Sequence, residues 1–287
     1  MAELVLQQVV LGGDRIAVEC GGRQLSYRDL AERSAQLAGW LTTRGVAAGD
    51  RIAILSENRL EYLEVVLAAA RLGAIVACQN WRLSQRELDH CLALVEPRVV
   101  VASPRYQDVG FDGPRLVFGD DYERELSAAA PVGDAVPLDP ESPLFILYTS
   151  GTTGLPKGAV LSHRAEVARN LVVRAEFGVQ PDYTFVAWSP LFHMGAAECA
   201  LGTLMTGGKV IVVDGFDAER LAALVAEEEL GWLLLMPGMV GRLAEALEAR
   251  AVKARGVRVC GVMADLVPPA EIARITRLLD APYANTF

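Results

Sequence analysis

The chain has 287 residues, 52% of them hydrophobic and 22% charged, an ordinary soluble globular make-up with room for two α/β lobes or one large domain. Its formal net charge is -9 and no Lys/Arg cluster stands out, which argues against a nucleic-acid binder, since that function needs a basic face. The N-terminal MAELVLQQVV lacks the basic start of a secretory signal, and the longest apolar run, Val65 to Cys78, is broken by Arg71 and too short to span a bilayer. A cytoplasmic protein without a membrane span is expected, and its five scattered cysteines (Cys20, Cys78, Cys91, Cys199, Cys260), four of them in apolar or helical surroundings and none in a CxxC pair, are expected to be reduced.

From Ser26 onward, short apolar runs alternate with amphipathic stretches. Ser26 to Arg44 carries Leu30, Leu37, Trp40 and Leu41 at helical spacing, with Gly45 as a stop. Arg51-Ile-Ala-Ile-Leu predicts a buried strand, and Glu61 to Leu72 a helix closed by Gly73. Ser84 to Val95 predicts a helix capped by Ser84 with Glu87 three residues on. Val99 to Ala102 and Arg115 to Phe118 are strand candidates. Ser103 to Pro143, rich in Pro, Gly and Asp, reads as surface connection broken by one strand and a short helix. Strand-like runs follow at Leu144–Tyr148, Phe185–Trp188, Lys209–Val213, Trp232–Leu235 and Arg258–Val262, with helices at 163–177, 217–229, 239–249 and 269–279. Such alternation implies α/β architecture with mainly parallel sheets covered by helices. No internal repeat or low-complexity tract occurs.

Five unusual segments each directly follow a strand: Thr149 to Lys157, Pro190 to Gly195, Met236 to Met239, Val262 to Asp265 and Asn285 to Phe287. Ligands of open α/β sheets bind at the carboxyl ends of strands, so these segments are expected to converge on one cleft. The strongest signal is Thr149-Ser-Gly-Thr-Thr-Gly-Leu-Pro-Lys-Gly158. Gly151, Gly154 and Gly158 free the backbone to turn N–H groups inward as an anion nest. Thr149, Ser150, Thr152 and Thr153 add hydroxyls, and Lys157 adds a point charge suited to phosphate. Together they suit a polyphosphate tail. A surface turn does not account for so many donors after a buried strand. A P-loop fails on spacing, because Leu-Pro separates Gly154 from Lys157 and Gly158 stands where Ser or Thr belongs.

Leu147-Tyr-Thr-Ser-Gly-Thr-Thr-Gly-Leu-Pro-Lys-Gly158, with Ala-Val-Leu-Ser-His163 after it, resembles the signature loop of the adenylate-forming superfamily, and the match is complete. Upstream, Gly49-Asp-Arg-Ile-Ala-Ile-Leu-Ser-Glu-Asn58, Leu67 to Ala74 and Asn80-Trp-Arg-Leu-Ser84 are similar to fatty-acyl and aryl CoA ligases in particular. The resemblance implies two stacked α/β lobes, residues 50–180 with the phosphate loop and 1–49 with 181–287 carrying the acyl and adenine pocket. It also implies a protein that continues past Phe287 into a β-barrel subdomain and a small C-terminal lid domain with the catalytic Lys.

The activity it implies is ATP-dependent conversion of a carboxylic acid to an acyl-adenylate, then a thioester with coenzyme A, with Mg²⁺ and with Thr152 as a candidate metal neighbour. His193 would orient the acid, while Met194, Gly195, Met236, Pro237, Gly261 and Val262 would wall the acyl pocket. On its residues alone, His193 beside Phe192 and Met194 also fits a satisfied core side chain. It is no general base, since a carboxylate with a pKa of about 4 is already ionised at neutral pH. Val262-Met-Ala-Asp265 stands where relatives have Gly-Gly-Ala, so Met263 reshapes the pocket beside the adenine. Asn285-Thr286-Phe287 resembles the start of the aromatic-Gly-x-Thr-Glu motif, with Phe287 stacking on adenine. A competing alignment puts Tyr283 at the aromatic position. A non-catalytic nucleotide- or acyl-binding module, or one subunit of a split ligase, is the alternative reading. A homodimer is compatible with either.

Overall fold

The computed structural model describes residues 1–149 and 154–285. Helix α1 (Ala2–Gly12) leads into a hairpin of β1 (Ile16–Cys20) and β2 (Arg23–Ser26), turned by Gly21-Gly22. Helix α2 (Tyr27–Thr43) starts at a reciprocal cap, in which Asp29 N–H donates to Ser26 Oγ at 3.1 Å and Ser26 N–H donates to Asp29 Oδ2 at 2.9 Å. Then come β3 (Arg51–Leu55), α3 (Leu60–Leu72), β4 (Ile75–Cys78), α4 (Gln85–Val95), β5 (Val99–Ala102), β6 (Arg115–Val117) and α5 (Asp120–Ala128). Strands β7 (Pro143–Thr149) and β8 (Lys157–Ser162) flank the glycine-rich loop, and α6 (His163–Phe177) follows. The remainder is β9 (Thr184–Ala187), α7 (Met194–Met205), β10 (Val210–Val212), α8 (Ala218–Glu227), β11 (Glu229–Leu233), α9 (Val240–Ala249), β12 (Gly256–Cys260) and α10 (Pro269–Leu279).

The strands form two six-stranded sheets, ordered β6-β5-β3-β4-β7-β8 and β12-β11-β9-β10-β1-β2. All neighbouring pairs are parallel except β7–β8 and β1–β2, each at one edge. The mainly parallel α/β expectation therefore holds. One hydrophobic core runs through both sheets, joining Val18, Phe185 and Val210 of one to Ile52, Val76, Val101 and Phe145 of the other through α2, α3 and α7. A second core, centred on Trp232, Leu243 and Val259, lies where α8, α9 and α10 pack around β11 and β12. The five cysteines are free, and among the described residues no helix is long and apolar enough to cross a membrane.

Several boundaries differ from the sequence reading. The strands around Trp232 and Arg258 begin and end about two residues earlier than expected, at Glu229–Leu233 and Gly256–Cys260, which leaves Leu234, Leu235 and Val262 as buried residues past the strand ends. The 103–143 stretch is more than surface connection. Leu116, Phe118, Tyr122 and Leu126 point into the main core, because β6 completes a sheet edge and α5 packs against α2.

Helices α6 and α7 pack together, with Glu166 completely buried and both of its carboxylate oxygens lacking a hydrogen-bond partner among the described residues. Burial, then the nearby Glu198, push its pKa up to about 7, against the opposing pull of Arg169, which pairs with Glu198 at 3.1 Å. A carboxyl whose folded pKa is raised stabilises the fold most below its unfolded value of about 4.5 and loses that contribution as pH rises through about 7. Unfolding by urea is expected to show stability falling by up to about 3 kcal/mol between pH 5 and pH 8. Glu166→Gln is expected to remove most of that slope, and an unchanged slope would place the titration elsewhere.

Candidate functional site

In each sheet the parallel strands end on one side, and the segments singled out in the sequence emerge there. The two sides meet at a cleft of about 390 Å³ lined by Asn80, Leu83, Glu87, Tyr148, Thr149, Gly154, Pro156 and His193. Thr149 is the last residue of β7, Gly154 and Pro156 lead into β8, and His193 caps α7 from the other sheet. A phosphate-loop flank and the candidate acid-orienting histidine thus share one cavity. Ser150, Gly151, Thr152, Thr153, Thr286 and Phe287 lie outside the described residues.

The loop's flanks are anchored by side chains that sequence reasoning missed. Tyr148 donates its hydroxyl to the Cys91 carbonyl at 3.0 Å and accepts from Gln79 Nε2 at 2.9 Å, which fixes the strand one residue before Thr149. His90 Nε2 lies 3.2 Å from the Pro156 carbonyl at the loop's exit. Glu87 lines the cleft, but its carboxylate is committed to the N–H and hydroxyl of Ser84 at 2.8 and 2.7 Å, and those bonds hold its pKa below the usual carboxylate value. Lys157, paired across the hairpin with Thr149, lines instead a neighbouring groove with Arg51, His90 and Leu94.

His193 accepts a hydrogen bond at Nδ1 from the Gly195 N–H at 3.4 Å, as N-cap of α7. With Nδ1 accepting, a neutral ring carries its proton on Nε2, a tautomer inferred from the bonding. Burial and the positive Arg82 lower its pKa and favour that neutral form. The ring is therefore equipped to donate to a carboxylate. Arg82 sits 5.0 Å from the Trp81 ring centre and 5.9 Å from that of Phe192, and the two rings meet edge-on at 6.1 Å.

The residues expected to form the far wall lie along the same sheet edge, though none of Met236, Pro237, Gly261 or Val262 lines the 390 Å³ cleft. A Cβ at Gly195 would lie 3.7 Å from the Leu234 side chain, and Trp188 Nε1 donates to the Leu234 carbonyl at 2.8 Å. Tyr283 ties the next two strand exits together, its hydroxyl 3.2 Å from the Leu235 carbonyl and 3.1 Å from that of Val262. Its ring covers Gly261, where φ is +88° and any Cβ would lie 2.3 Å from the ring. Met236 and Met263 are half-buried against the second core, and Pro237 follows Met236 in the turn into α9. Met263 is left-handed, with φ 50°, and opens the turn at Ala264–Leu266. Asn285 Nδ2 lies 3.5 Å from Asp265 Oδ1, at the end of the edge marked by β12. The structure thus unites Thr149, Gly154 and His193 in one cleft, while Gly195 faces Leu234, and Gly261 and Val262 are tied to Leu235 by Tyr283 outside it.

A family model described as AMP-binding enzyme matches residues 6–287. The chain is 33% identical over 273 residues to a feruloyl-CoA synthase of an Amycolatopsis species, covering 93% of this chain and 54% of that protein. It is 31% identical over 297 residues to an indoleacetate–CoA ligase of Aromatoleum aromaticum, covering 96% of this chain and 57% of that protein. The inhibitor-bound crystal structure of the N-terminal domain of FACL13 from Mycobacterium tuberculosis superposes with a TM-score of 0.89 at 25% identity, covering all of this chain and 75% of that one. The chain spans about half the length of the curated relatives it matches.

Gly261→Ala would force a methyl group into the Tyr283 ring at a left-handed backbone position. A loss of about 2 kcal/mol or more in urea unfolding is expected, larger than for Tyr283→Phe, which removes only the hydroxyl and about 1 kcal/mol. Equal effects would mean that the ring does not rest on Gly261.

Proposed function

The chain belongs to the AMP-binding enzyme family, and we propose on that premise that it activates a carboxylic acid with ATP for transfer to the thiol of coenzyme A. The observation that carries this reading is the single cleft holding both Thr149 with Gly154 and His193. The names of the relatives, ligases of ferulate and indoleacetate, support an acid bearing an aromatic ring as substrate.

In the first half-reaction an already ionised carboxylate attacks the α-phosphorus of ATP. A bond forms between acid oxygen and phosphorus, the bond to the bridging oxygen breaks, and pyrophosphate leaves. No proton has to be removed, so what the chain contributes is positioning and charge stabilisation. Thr149, Ser150, Gly151, Thr152, Thr153, Gly154 and Lys157 hold the departing phosphates. His193 donates from Nε2 to the acid. Met194, Gly195, Met236, Pro237, Gly261 and Val262 shape the space for its body, and Met263, Asn285, Thr286 and Phe287 contact the adenine. In the second half-reaction the coenzyme A sulfur attacks the acyl carbon and AMP leaves. Magnesium would arrive with the triphosphate, and Thr152 is the chain's own hydroxyl assigned near it. Among the described residues no three His, Cys, Asp or Glu side chains form a group that could hold a metal.

We assign residues 50–180 and 1–49 with 181–287 to two lobes of a cytoplasmic protein, each built on one sheet, with a homodimer compatible with this division. The first half-reaction is expected to be slow or absent in these 287 residues by themselves, a length about half that of the relatives. A nucleotide- or acyl-binding module without catalysis is the second reading.

Calorimetric titration with ATP is expected to give saturable heat, and Lys157→Ala to weaken binding about tenfold through loss of a phosphate contact. An unaffected Lys157→Ala would remove Lys157 from the phosphate site and assign it to its own groove. No saturable heat from the unaltered chain would leave the ligase reading without support. Acid-dependent exchange between ATP and pyrophosphate at the rates of full-length relatives would overturn the expectation of impaired catalysis.

A further inference from the structure

Asn58 sits in the connection from β3 to α3, on the sheet that bears Thr149, yet its side-chain hydrogen bonds all go to the other sheet. Its Nδ2 lies 3.1 Å from the carbonyl oxygen of Ala187, 2.7 Å from that of Ser189 and 3.0 Å from that of Val213. Its Oδ1 accepts from the Leu191 N–H at 2.8 Å. The residue is 6% exposed, so water does not compete for these groups.

The place it occupies is the point where regular pairing stops. The β9–β10 ladder ends with the Val213 N–H donating to the Ala187 carbonyl. Beyond Ala187 the chain turns through Trp188, Ser189 and Pro190 toward His193, and Pro190 has no N–H to pair. Asn58 holds the carbonyl before that proline and the N–H after it. A primary amide presents donors and an acceptor as a peptide unit does, so the side chain serves as an extra rung of the sheet. The requirement is narrow. Asp would set an acceptor-only carboxylate against three carbonyls, Ala would leave buried backbone groups unpaired, and Gln, one methylene longer, would carry its amide away from partners spaced for Asn.

Resting on the acid-activation reading above, we infer that Asn58 is a positioning residue for that reaction. It locks the segment leading to His193 against the sheet that carries the phosphate loop. The reacting groups then approach from two sheets at a fixed separation, and in-line attack tolerates little error in that separation.

Hydrogen exchange and imidazole NMR test this in the chain as it stands, since His90, His163 and His193 are its three histidines. In the unaltered protein the Leu191 amide is expected to exchange as slowly as the β9 and β10 strands, and His193 to titrate below the ordinary imidazole value. In Asn58→Ala, Leu191 is expected to exchange roughly tenfold faster or more. His193 should then titrate closer to the ordinary value while His163, lowered by its own burial to about 4, stays where it was. General loosening of the fold would move both histidines, and a tie with no positioning role would move neither. Either pattern overturns the inference. So does rapid exchange of Leu191 in the unaltered protein, a result that does not depend on the variant folding. ATP calorimetry run alongside separates the two readings. Missing ATP heat sinks the ligase proposal and leaves the geometry of Asn58 standing, whereas ATP heat with an unmoved His193 in Asn58→Ala does the reverse.

Discussion

Helix α3 has no solvent face, and the placement of everything around it follows from that. Each residue from Leu60 to Arg71 is buried, and the helix packs on β4 of one sheet, β1 of the other and α2. Moving the sheets apart would expose its Leu, Val and Ala side chains, at roughly 25 cal/mol for each Å² of apolar surface returned to water. The charged groups it carries are satisfied in place. Arg33 grips Glu64 at 2.6 Å and Tyr122 donates to the same carboxylate at 2.5 Å, while Arg71 donates to the Ala31 and Gly133 carbonyls at 2.9 and 3.0 Å. Removing one partner of such a buried pair strands the other charge, so the network specifies one orientation of α3 even where it adds little net stability. The carboxyl ends of both sheets are thereby held at one mouth.

Local signals in the sequence were strong where an element has one wet face and a chemical end. Helix α4 announces itself by Ser84 and Glu87, α3 by its stop at Gly73, and α6 spans the expected 163–177. What escaped notice lacks such contrast. Helix α7, Met-Gly-Ala-Ala-Glu-Cys-Ala-Leu-Gly-Thr-Leu-Met, is buried nearly all round and shows no apolar stripe. Strand β4 follows α3 after only Gly73 and Ala74, and so merges into one apolar run. The hairpin of β1 and β2 did carry a usable signal, Gly21-Gly22 after an apolar start, but both strands are short and β2 has only Leu25 as an apolar residue.

At the site, the residues brought together in the cleft are those with unusual local chemistry, Thr149, Gly154 and His193. The holding roles of the residues behind them were invisible. Tyr148 reaches back 57 residues to the Cys91 carbonyl, Tyr283 reaches back 48 to Leu235, and Asn58 reaches forward 129 to Ala187. A side chain bonding to a distant backbone leaves no period and no spacing. Asn58 was legible only as one letter of a stretch similar to CoA ligases.

The balance of charge restricts how such a cleft can hold a polyphosphate. A chain with net charge -9 does not draw an anion toward it by its overall field. Among the described residues, none of those lining the cleft is Lys or Arg, and Glu87 adds a negative charge to its wall. Apart from Lys157, which lies in the neighbouring groove, recognition of the phosphates there comes from short-range dipoles, hydroxyls such as Thr149 and backbone N–H groups, while the neutral imidazole of His193 donates to the acid. Dipoles act only when aimed, and their strength falls off faster with distance than that of a charge. A site built this way depends more on rigid backing than one built on arginines, whose long side chains can follow a misplaced phosphate. The buried α3 between the sheets, and the amide of Asn58 across their ends, supply that backing where aim matters most.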